Sequence, residues 1–256
     1  MAVPGAVSNP SQLYTESVSY PVDGAAIEAY VARPQEPGHY PGVIVIHEAF
    51  GPVEHIHDVA RRFANRGYIA IAPNLYSRVG TPNPSDTQEV FKKMFGLQDG
   101  QIVRDLEGAA SYLRATGYSN GKVGVIGFCS GGRQTLLMAS SSHAVDAAVD
   151  CWGGFIRSAT PDAATTPERP TPIIDMAENV SCPLFVVIGE EDQNPSPEDG
   201  ELLSKRLKQA GKDFQLKVYR NAGHAFFADY RPNYREKAAF ELWDDVSRFF
   251  DQHLKK

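Results

Sequence analysis

The sequence predicts an α/β fold with a mostly parallel central sheet, helices on both faces of that sheet and an antiparallel hairpin at the N-terminus. Three features lead to this prediction. Short apolar runs rich in β-branched residues, such as 42–46 and 123–126, have the pattern of strands buried on both faces. Segments with helical periodicity alternate with these runs along the chain. Near the N-terminus, two stretches of alternating polarity flank Asp23-Gly24, which is a strong hairpin signal.

The elements follow in chain order from these patterns. Residues 1–13 are interpreted as an N-terminal arm, and 14–256 as a single domain, because no linker, repeat or low-complexity tract divides them. The predicted strands are 15–20, 26–32, 42–46, 68–72, 123–126, 145–152, 184–188 and 214–219. The predicted helices are 54–65, 86–95, 101–115, 134–140, 197–211 and 235–253. The segment 153–181 has no regular pattern, and an irregular loop of this length is typical of a lid or a binding excursion.

The composition is that of a globular enzyme and argues against several other classes. Of 256 residues, 42% are hydrophobic and 22% charged, and the net charge of −6 argues against a nucleic-acid partner. No apolar stretch approaches the roughly 20 residues needed to cross a membrane, and the N-terminus does not resemble a secretory signal. Three widely spaced cysteines form neither a disulfide framework nor a metal site, so the prediction is a cytoplasmic protein without a cofactor or metal. A monomer and a small homo-oligomer are both compatible with these data.

A sharp transition from strand to helix surrounds Cys129. Gly127 and Gly131 lie two positions to either side, where larger side chains would collide with the neighbouring strand and helix. This Gly-x-Cys-x-Gly pattern after a buried strand is typical of the nucleophile elbow of α/β-hydrolases, with Cys in place of Ser. The backbone N–H of Ser130 would lie at a helix N-terminus, where developing negative charge is stabilised. The alternative interpretation is that Cys129 is a small buried hydrophobic residue.

An elbow nucleophile needs a histidine base and a carboxylate that orients it, and in α/β-hydrolases the order is nucleophile, acid, histidine. Asp192 follows the predicted strand 184–188, and His224 follows the predicted strand 214–219. Both would lie at the carboxyl ends of parallel strands, where the sites of open α/β sheets collect. His224 would draw the proton from Cys129, and Asp192 would hold the imidazole in the useful tautomer. Taken singly, Asp192 could instead belong to a solvated loop and His224 to a capped turn.

Five stretches occur in the same order as in a known family. They are Val-Ile-His-Glu-Ala-Phe-Gly at 45–51, Ala-Pro-Asn-Leu-Tyr-Ser-Arg at 72–78, Gly-Phe-Cys-Ser-Gly-Gly at 127–132, Gly-Glu-Glu-Asp at 189–192 and Gly-His-Ala-Phe-Phe at 223–227. From about residue 14 to the C-terminus, the chain resembles the dienelactone hydrolase (carboxymethylenebutenolidase) family of the α/β-hydrolase superfamily.

The resemblance implies roles for individual residues. Cys129, Asp192 and His224 would form the catalytic triad, and Glu48 would lie beside the thiol and help to control its ionisation. The backbone N–H groups of Ala49 and Ser130 would form the oxyanion hole. Arg78 would clamp a substrate carboxylate, for which a guanidinium has the matching bidentate geometry.

The chain departs from the family pattern at a second substrate arginine. Members that cleave dienelactone carry it four residues after the catalytic histidine, where this chain has Ala228, and Arg231 is a candidate replacement. The aromatic residues Phe50, Tyr76, Trp152, Phe226 and Phe227 are further candidates for substrate binding, although aromatic residues at such positions are more often part of the core.

These inferences predict a hydrolase of a small ester or lactone, with or without a carboxylate, that acts through a thioester on Cys129. The missing arginine and the long segment 153–181 favour an alternative, a general short-chain carboxylesterase or thioesterase. A third interpretation, from a different class, is a non-catalytic binding or thiol redox-sensing protein with a vestigial site, because a fold does not fix a function.

Overall fold

An eight-stranded sheet runs through the computed structural model of the chain, which describes residues 2–156 and 165–255. Its strands are β1 (Leu13–Val22), β2 (Ala25–Pro34), β3 (Tyr40–Ile46), β4 (Ile69–Pro73), β5 (Ser119–Phe128), β6 (Ala147–Cys151), β7 (Leu184–Gly189) and β8 (Phe214–Tyr219). The spatial order is β1-β2-β4-β3-β5-β6-β7-β8. Strands β4, β3, β5, β6, β7 and β8 are parallel, whereas β1 and β2 pair antiparallel and β2 joins β4 antiparallel. The predicted fold class is confirmed.

The described residues form six α-helices, and five of them, all except α2, cover the two faces of the sheet. They are α1 (Glu54–Asn65), α2 (Thr87–Gly96), α3 (Asp99–Ala115), α4 (Ser130–Ser141), α5 (Pro197–Gln209) and α6 (Glu236–Leu254). On one face, α1 and α6 bury Phe63, Trp243 and Phe250 against alternate residues of the central strands. On the other face, α3, α4 and α5 bury a separate cluster that includes Leu106 and Leu136. Burial on both sides explains why the central strands are continuous apolar runs.

The N-terminal hairpin has the turn that its sequence predicts. Asp23 and Gly24 both have positive φ, 47° and 77°, which is the backbone of a two-residue turn between antiparallel strands. This turn fixes the register in which Val22 faces Ala25. The hairpin therefore extends the parallel sheet at the edge beside β4, far from the loops that follow β5, β7 and β8.

The N-terminal arm packs against α6 and the segment before it: the Tyr234 hydroxyl donates to the Ala2 carbonyl oxygen at 2.6 Å, and Gly5 lies against Trp243 of α6. The excursion predicted at 153–181 includes residues 157–164, which lie outside the described residues, and its later part contains a 3-10 helix at Ile173–Asn179. The amphipathic spacing of that short helix, with Ile173, Ile174 and Ala177 buried, is obscured by prolines on both sides.

The order of the strands reverses at β3 and thereby opens a crevice. Strand β4 lies on one side of β3 and β5 on the other, so the chain leaves the carboxyl ends of β3 and β5 in diverging directions. Ligands of open α/β sheets bind in a crevice of this kind. Over the described ranges, no helix combines the length and apolar character required to cross a bilayer.

Candidate active site

Cys129 occupies a strained position between β5 and α4. Its backbone has φ 56° and ψ −116°, a conformation that costs a residue with a Cβ about 1–3 kcal/mol and that occurs mainly at functional sites. The Cys129 N–H donates to the Cys151 carbonyl oxygen at 3.0 Å, which ties the turn to β6. The thiol is half-buried, whereas the thiols of Cys151 and Cys182 are buried. The turn thus presents one cysteine, and no other, towards solvent.

Glycines around Cys129 allow three elements to approach each other closely. A Cβ on Gly127 would overlap the carbonyl oxygen of Gly131, and a Cβ on Gly131 would lie 2.6 Å from the carbonyl oxygens of Ile46 and His47 at the end of β3. Real Cβ atoms do not approach backbone so closely, and backbone atoms cannot rotate away as a side chain does. The paired glycines therefore bring the N-terminus of α4 directly against β3 and β5.

His224 lies between the thiol and a buried carboxylate. The Nδ1–H of His224 donates to Oδ2 of Asp192 at 2.8 Å, and the sulfur of Cys129 is close enough to the ring to help raise its pKa. The other oxygen of Asp192 accepts the N–H of Asn194 at 3.0 Å, so the carboxylate, 3% exposed, is fixed on both sides. The structure thus brings together the three residues of the predicted triad, each at the carboxyl end of its strand.

The charge state of His224 follows from these neighbours. Burial disfavours the imidazolium, but the hydrogen bonds to Asp192 and Cys129 and their negative charges outweigh burial and raise the pKa of His224 to about 10. His224 therefore carries a proton at neutral pH. A proton on the ring leaves His224 able to donate hydrogen bonds from both ring nitrogens.

The pKa of His224 is expected to fall in Cys129→Ala, because the variant removes a hydrogen bond and a negative charge while burial still opposes the proton. The imidazole proton stabilises the fold fully below the unfolded pKa of about 6.5 and progressively less as the pH rises towards about 10 in the wild type. The variant should lose this stabilisation at a lower pH. NMR titration of the His224 ring measures the change, with Cys182→Ala as the matched control. An unchanged titration midpoint in Cys129→Ala would show that the thiol does not act on His224.

The loop after β3 is held in place by a neutral histidine. His47 is buried, and burial lowers its pKa to about 4. Its Nε2 accepts the N–H of Leu75 at 3.2 Å, so Nδ1 carries the proton and donates to the Glu48 carbonyl oxygen at 2.6 Å. The Tyr76 hydroxyl donates to the Ala49 carbonyl oxygen at 2.8 Å. These bonds fix the peptide units on both sides of Ala49, whose N–H is the predicted oxyanion donor.

Glu48 is engaged by the loop that follows His224. Its carboxylate is 2% exposed and accepts hydrogen bonds from Nη2 of Arg231 at 3.0 Å and from the Tyr230 hydroxyl at 3.2 Å. Arg62 and His55 of α1 in turn bind Asp229, at 2.6 and 2.9 Å. The arginine compensates the buried carboxylate, which would otherwise be costly. The carboxylate of Glu48 is thus bound to the loop that contains Tyr230 and Arg231.

A cavity of about 560 Å³ opens at Cys129 and extends towards α2. Its wall contains residues of the candidate active site, namely Ala49, Cys129, Ser130, Asp192 and His224. Apolar side chains form much of the remainder: Phe50, Val90, Phe91, Met94 and Phe155. Further polar and charged residues are Arg133, Gln134, Arg169, Glu191, Asn194 and Arg231. A cavity of this size, mostly apolar with a few convergent polar groups, suits a small organic ligand.

Arg78 does not reach this cavity, in contrast to the expected role as a clamp. Its guanidinium binds both carboxylate oxygens of Asp105 on α3, at 2.8 and 3.2 Å, and donates to the Val22 carbonyl oxygen at 2.8 Å. The side chain of Asp105 is 4% exposed, so the pair compensates a nearly buried charge and holds Arg78 away from Cys129.

Four of the five aromatic candidates are also absent from the cavity wall. Phe226 and Phe227 pack in the core with Phe128 and Trp152, with ring centroids 4.8–5.8 Å apart. Tyr76 is buried and supports the loop of Ala49. These side chains pack beneath the loops of the candidate active site, whereas Phe50 and Arg231 line the cavity.

Several cavity residues were not predicted from the sequence. Val90, Phe91 and Met94 come from α2, and Arg169 comes from the excursion after β6. The sequence signal that could have found them is the unusual length of that excursion and the amphipathic pattern of α2, but neither specifies what the elements pack against.

The sheet, the strand–helix turn at Cys129 and the cavity at the carboxyl ends of the strands define an α/β-hydrolase. The family model for the dienelactone hydrolase family matches residues 27–254. A Methylorubrum extorquens protein with the provisional name carboxymethylenebutenolidase is 35% identical over 244 residues, which cover 94% of this chain and 82% of the relative. An Escherichia coli protein of the same provisional name is 36% identical over 240 residues, 92% of this chain and 86% of the relative.

A crystal structure of a Klebsiella pneumoniae protein, provisionally named dienelactone hydrolase, superposes with a TM-score of 0.86. It is 33% identical, and the match covers 94% of this chain and 99% of the other. The chain belongs to the dienelactone hydrolase family, and the resemblance inferred from its motifs is confirmed.

Proposed function

We propose that the protein hydrolyses a small carboxylic ester or lactone through a Cys129–His224–Asp192 triad and a thioester intermediate. The observation that carries the proposal is the position of His224, which is hydrogen-bonded to buried Asp192 and shares the wall of a mostly apolar cavity with the half-buried thiol of Cys129. The family to which the chain belongs and the names of its relatives are consistent with this reaction class.

The first half of the reaction forms the thioester. The thiolate of Cys129 attacks the carbonyl carbon, and the developing oxyanion accepts hydrogen bonds from the N–H groups of Ala49 and Ser130. The N-terminus of α4 adds a favourable dipole at Ser130. The imidazolium of His224 then donates its proton to the leaving alkoxide, so no free alkoxide leaves the site.

The second half requires His224 to act as a base. Formation of the thioester removes the negative charge on sulfur, which is one of the causes that raise the pKa of His224. The imidazole, neutral after giving up its proton, is then able to accept a proton from water, while Asp192 keeps Nδ1 protonated and Nε2 free. Hydroxide attacks the thioester and restores the thiolate–imidazolium pair.

A general short-chain esterase or thioesterase is the second candidate, and the placement of Arg78 favours it. The guanidinium expected to clamp a carboxylate is bound to Asp105, and the position of the second family arginine is Ala228, which is buried. Neither residue is available to bind a dienelactone carboxylate. The two candidates share the catalytic residues and differ in the substrate.

Mass spectrometry after rapid quenching with p-nitrophenyl acetate tests the proposed chemistry. We expect an acetyl group on the peptide that contains Cys129 and none on Cys151 or Cys182, because those thiols are buried. Parallel values of kcat/KM for a dienelactone and for p-nitrophenyl acetate decide between the two candidate substrates. Hydrolysis without acetylation of Cys129 would refute the thioester route, and absence of any hydrolysis would favour the binding or redox-sensing alternative.

A further inference from the structure

Arg169 enters the cavity from the excursion after β6 and is held there by its neighbours. Its Nη2 donates to the carbonyl oxygen of Met94 at 2.6 Å, and its guanidinium lies 4.9 Å from the ring centroid of Phe95. The preceding residue, Glu168, accepts the backbone N–H of Asp99 through its carbonyl oxygen at 2.8 Å. The side chain of Arg169 is therefore positioned between α2 and α3 and contributes to the cavity wall.

Other cations that line the cavity each have a carboxylate partner. Arg133 binds both oxygens of Asp99, at 2.7 and 2.9 Å. Arg231 pairs with Glu48, and His224 pairs with Asp192. These pairs leave little net charge for a ligand to neutralise.

Arg169 has no such partner among the residues that the structure describes, and its buried Nε lacks any hydrogen-bond acceptor. Burial and the nearby charge of Arg133 lower its pKa to about 10, and the charges of Asp99 and Glu168 offset this only in part, so Arg169 remains charged at neutral pH. Besides Asp192, which pairs with His224, the wall contains the carboxylate of Glu191. Glu191 is exposed and lies beside Gly223, next to His224. A partly buried guanidinium that lines a cavity and has no carboxylate bound to it is a site that favours an anion.

We propose that Arg169 binds a carboxylate on the substrate and thereby makes the enzyme selective for esters or lactones whose apolar body carries one free carboxylate. This inference rests on the proposed function, since it assigns a specificity residue to the same cavity. The apolar body would contact Phe91, Met94 and Phe155. The carboxylate would accept hydrogen bonds from the guanidinium and neutralise its charge.

The charge of the site favours a carboxylate over a phosphate monoester. One uncompensated guanidinium balances a single negative charge, whereas a phosphate monoester carries about −1.5 to −2 near neutral pH. Mostly apolar walls would leave the remaining phosphate charge and oxygens without partners, which is costly.

The test compares two p-nitrophenyl esters of equal length, the monoester of glutaric acid and the neutral pentanoate. Arg169→Met is expected to lower the glutarate-to-pentanoate ratio of kcat/KM by about 10- to 100-fold, the value of one or two charge-assisted hydrogen bonds. Arg169→Lys should lower this ratio less, because it keeps the charge but loses the planar fork. The ratio removes effects common to both esters, including the loss of contacts to Met94 and Phe95.

Arg206→Met, which removes an exposed arginine of α5, is the matched control and should leave the ratio within about twofold.

A binding measurement separates this inference from the proposed reaction. Calorimetry on Cys129→Ala compares 4-phenylbutanoate with its neutral amide, and no turnover is required. We expect the carboxylate to bind more tightly, and Arg169→Met on the same background to reduce that preference about tenfold or more. The role of Arg169 would be overturned if Arg169→Met left both the glutarate-to-pentanoate ratio of kcat/KM and the binding preference unchanged. It would also be overturned if the variant lost affinity equally for the charged and the neutral ligand. If Arg169→Met abolishes the binding preference and the wild-type protein hydrolyses neither ester, the role of Arg169 is upheld and the proposed hydrolase is refuted.

Discussion

Cys129→Ala is expected to lower kcat/KM for ester hydrolysis by at least about 10⁴-fold while the protein remains folded. The reason is that, in the proposed mechanism, the thiolate of Cys129 and its base His224 act as one unit, so that without the sulfur only the proposed oxyanion donors and the cavity remain. Steady-state hydrolysis of p-nitrophenyl acetate measures the loss, and circular dichroism with a urea titration measures the fold.

The backbone at this position makes the experiment decisive. Alanine keeps the Cβ that is strained at φ 56°, so the substitution neither relieves nor adds backbone strain, and it leaves a small void at a half-buried site. A large loss of rate can therefore be assigned to chemistry and not to unfolding. Cys182→Ala, which removes a thiol remote from the cavity wall, is the control and should keep the wild-type rate. A residual rate in Cys129→Ala close to that of the wild type would mean that Cys129 is not the nucleophile.

The parts of the site that follow strands were predictable from the sequence. Cys129 and Asp192 each follow a continuous apolar run and His224 follows a strand of alternating polarity, and in a parallel sheet the carboxyl ends of such strands meet at one edge. Local pattern and chain order were thus sufficient to bring the three side chains together. The limits of α1 matched the prediction because Glu54 and Gly67 mark its ends in the sequence.

The parts of the site that depend on long-range pairing were not predictable. The position of Arg78 after β4 was correct, but its direction is set by Asp105, 27 residues further along the chain, whose burial the sequence does not reveal. Arg169 reaches the cavity because α2 and α3 provide a carbonyl group and an N–H for its segment. A family motif therefore locates the reacting groups more reliably than the groups that select the substrate, since selection depends on packing between distant segments.

Gly127→Ala is expected to lower the free energy of unfolding by at least about 3 kcal/mol. Gly127 lies in the buried part of β5 and is not among the residues with positive φ, so alanine is compatible with the backbone conformation itself. The added methyl group would instead overlap the carbonyl oxygen of Gly131 and approach Oγ1 of Thr135 to 2.7 Å. Relief would require α4 to move away from β5, but Gly131 is already pressed against the carbonyl groups of β3.

Urea unfolding measures this loss, and Gly96→Ala provides the matched control. Gly96 is the last residue of α2 and has open space where a Cβ would stand, so alanine there should leave the stability unchanged or raise it by up to about 1 kcal/mol. A change of less than 1 kcal/mol in Gly127→Ala would show that α4 adjusts freely. In that case the turn at Cys129 would not be held rigidly between β3 and β5, although the geometry of the proposed nucleophile requires this. Because the same backbone contacts hold the N–H of Ser130, any Gly127→Ala protein that folds should also lose hydrolysis of p-nitrophenyl acetate.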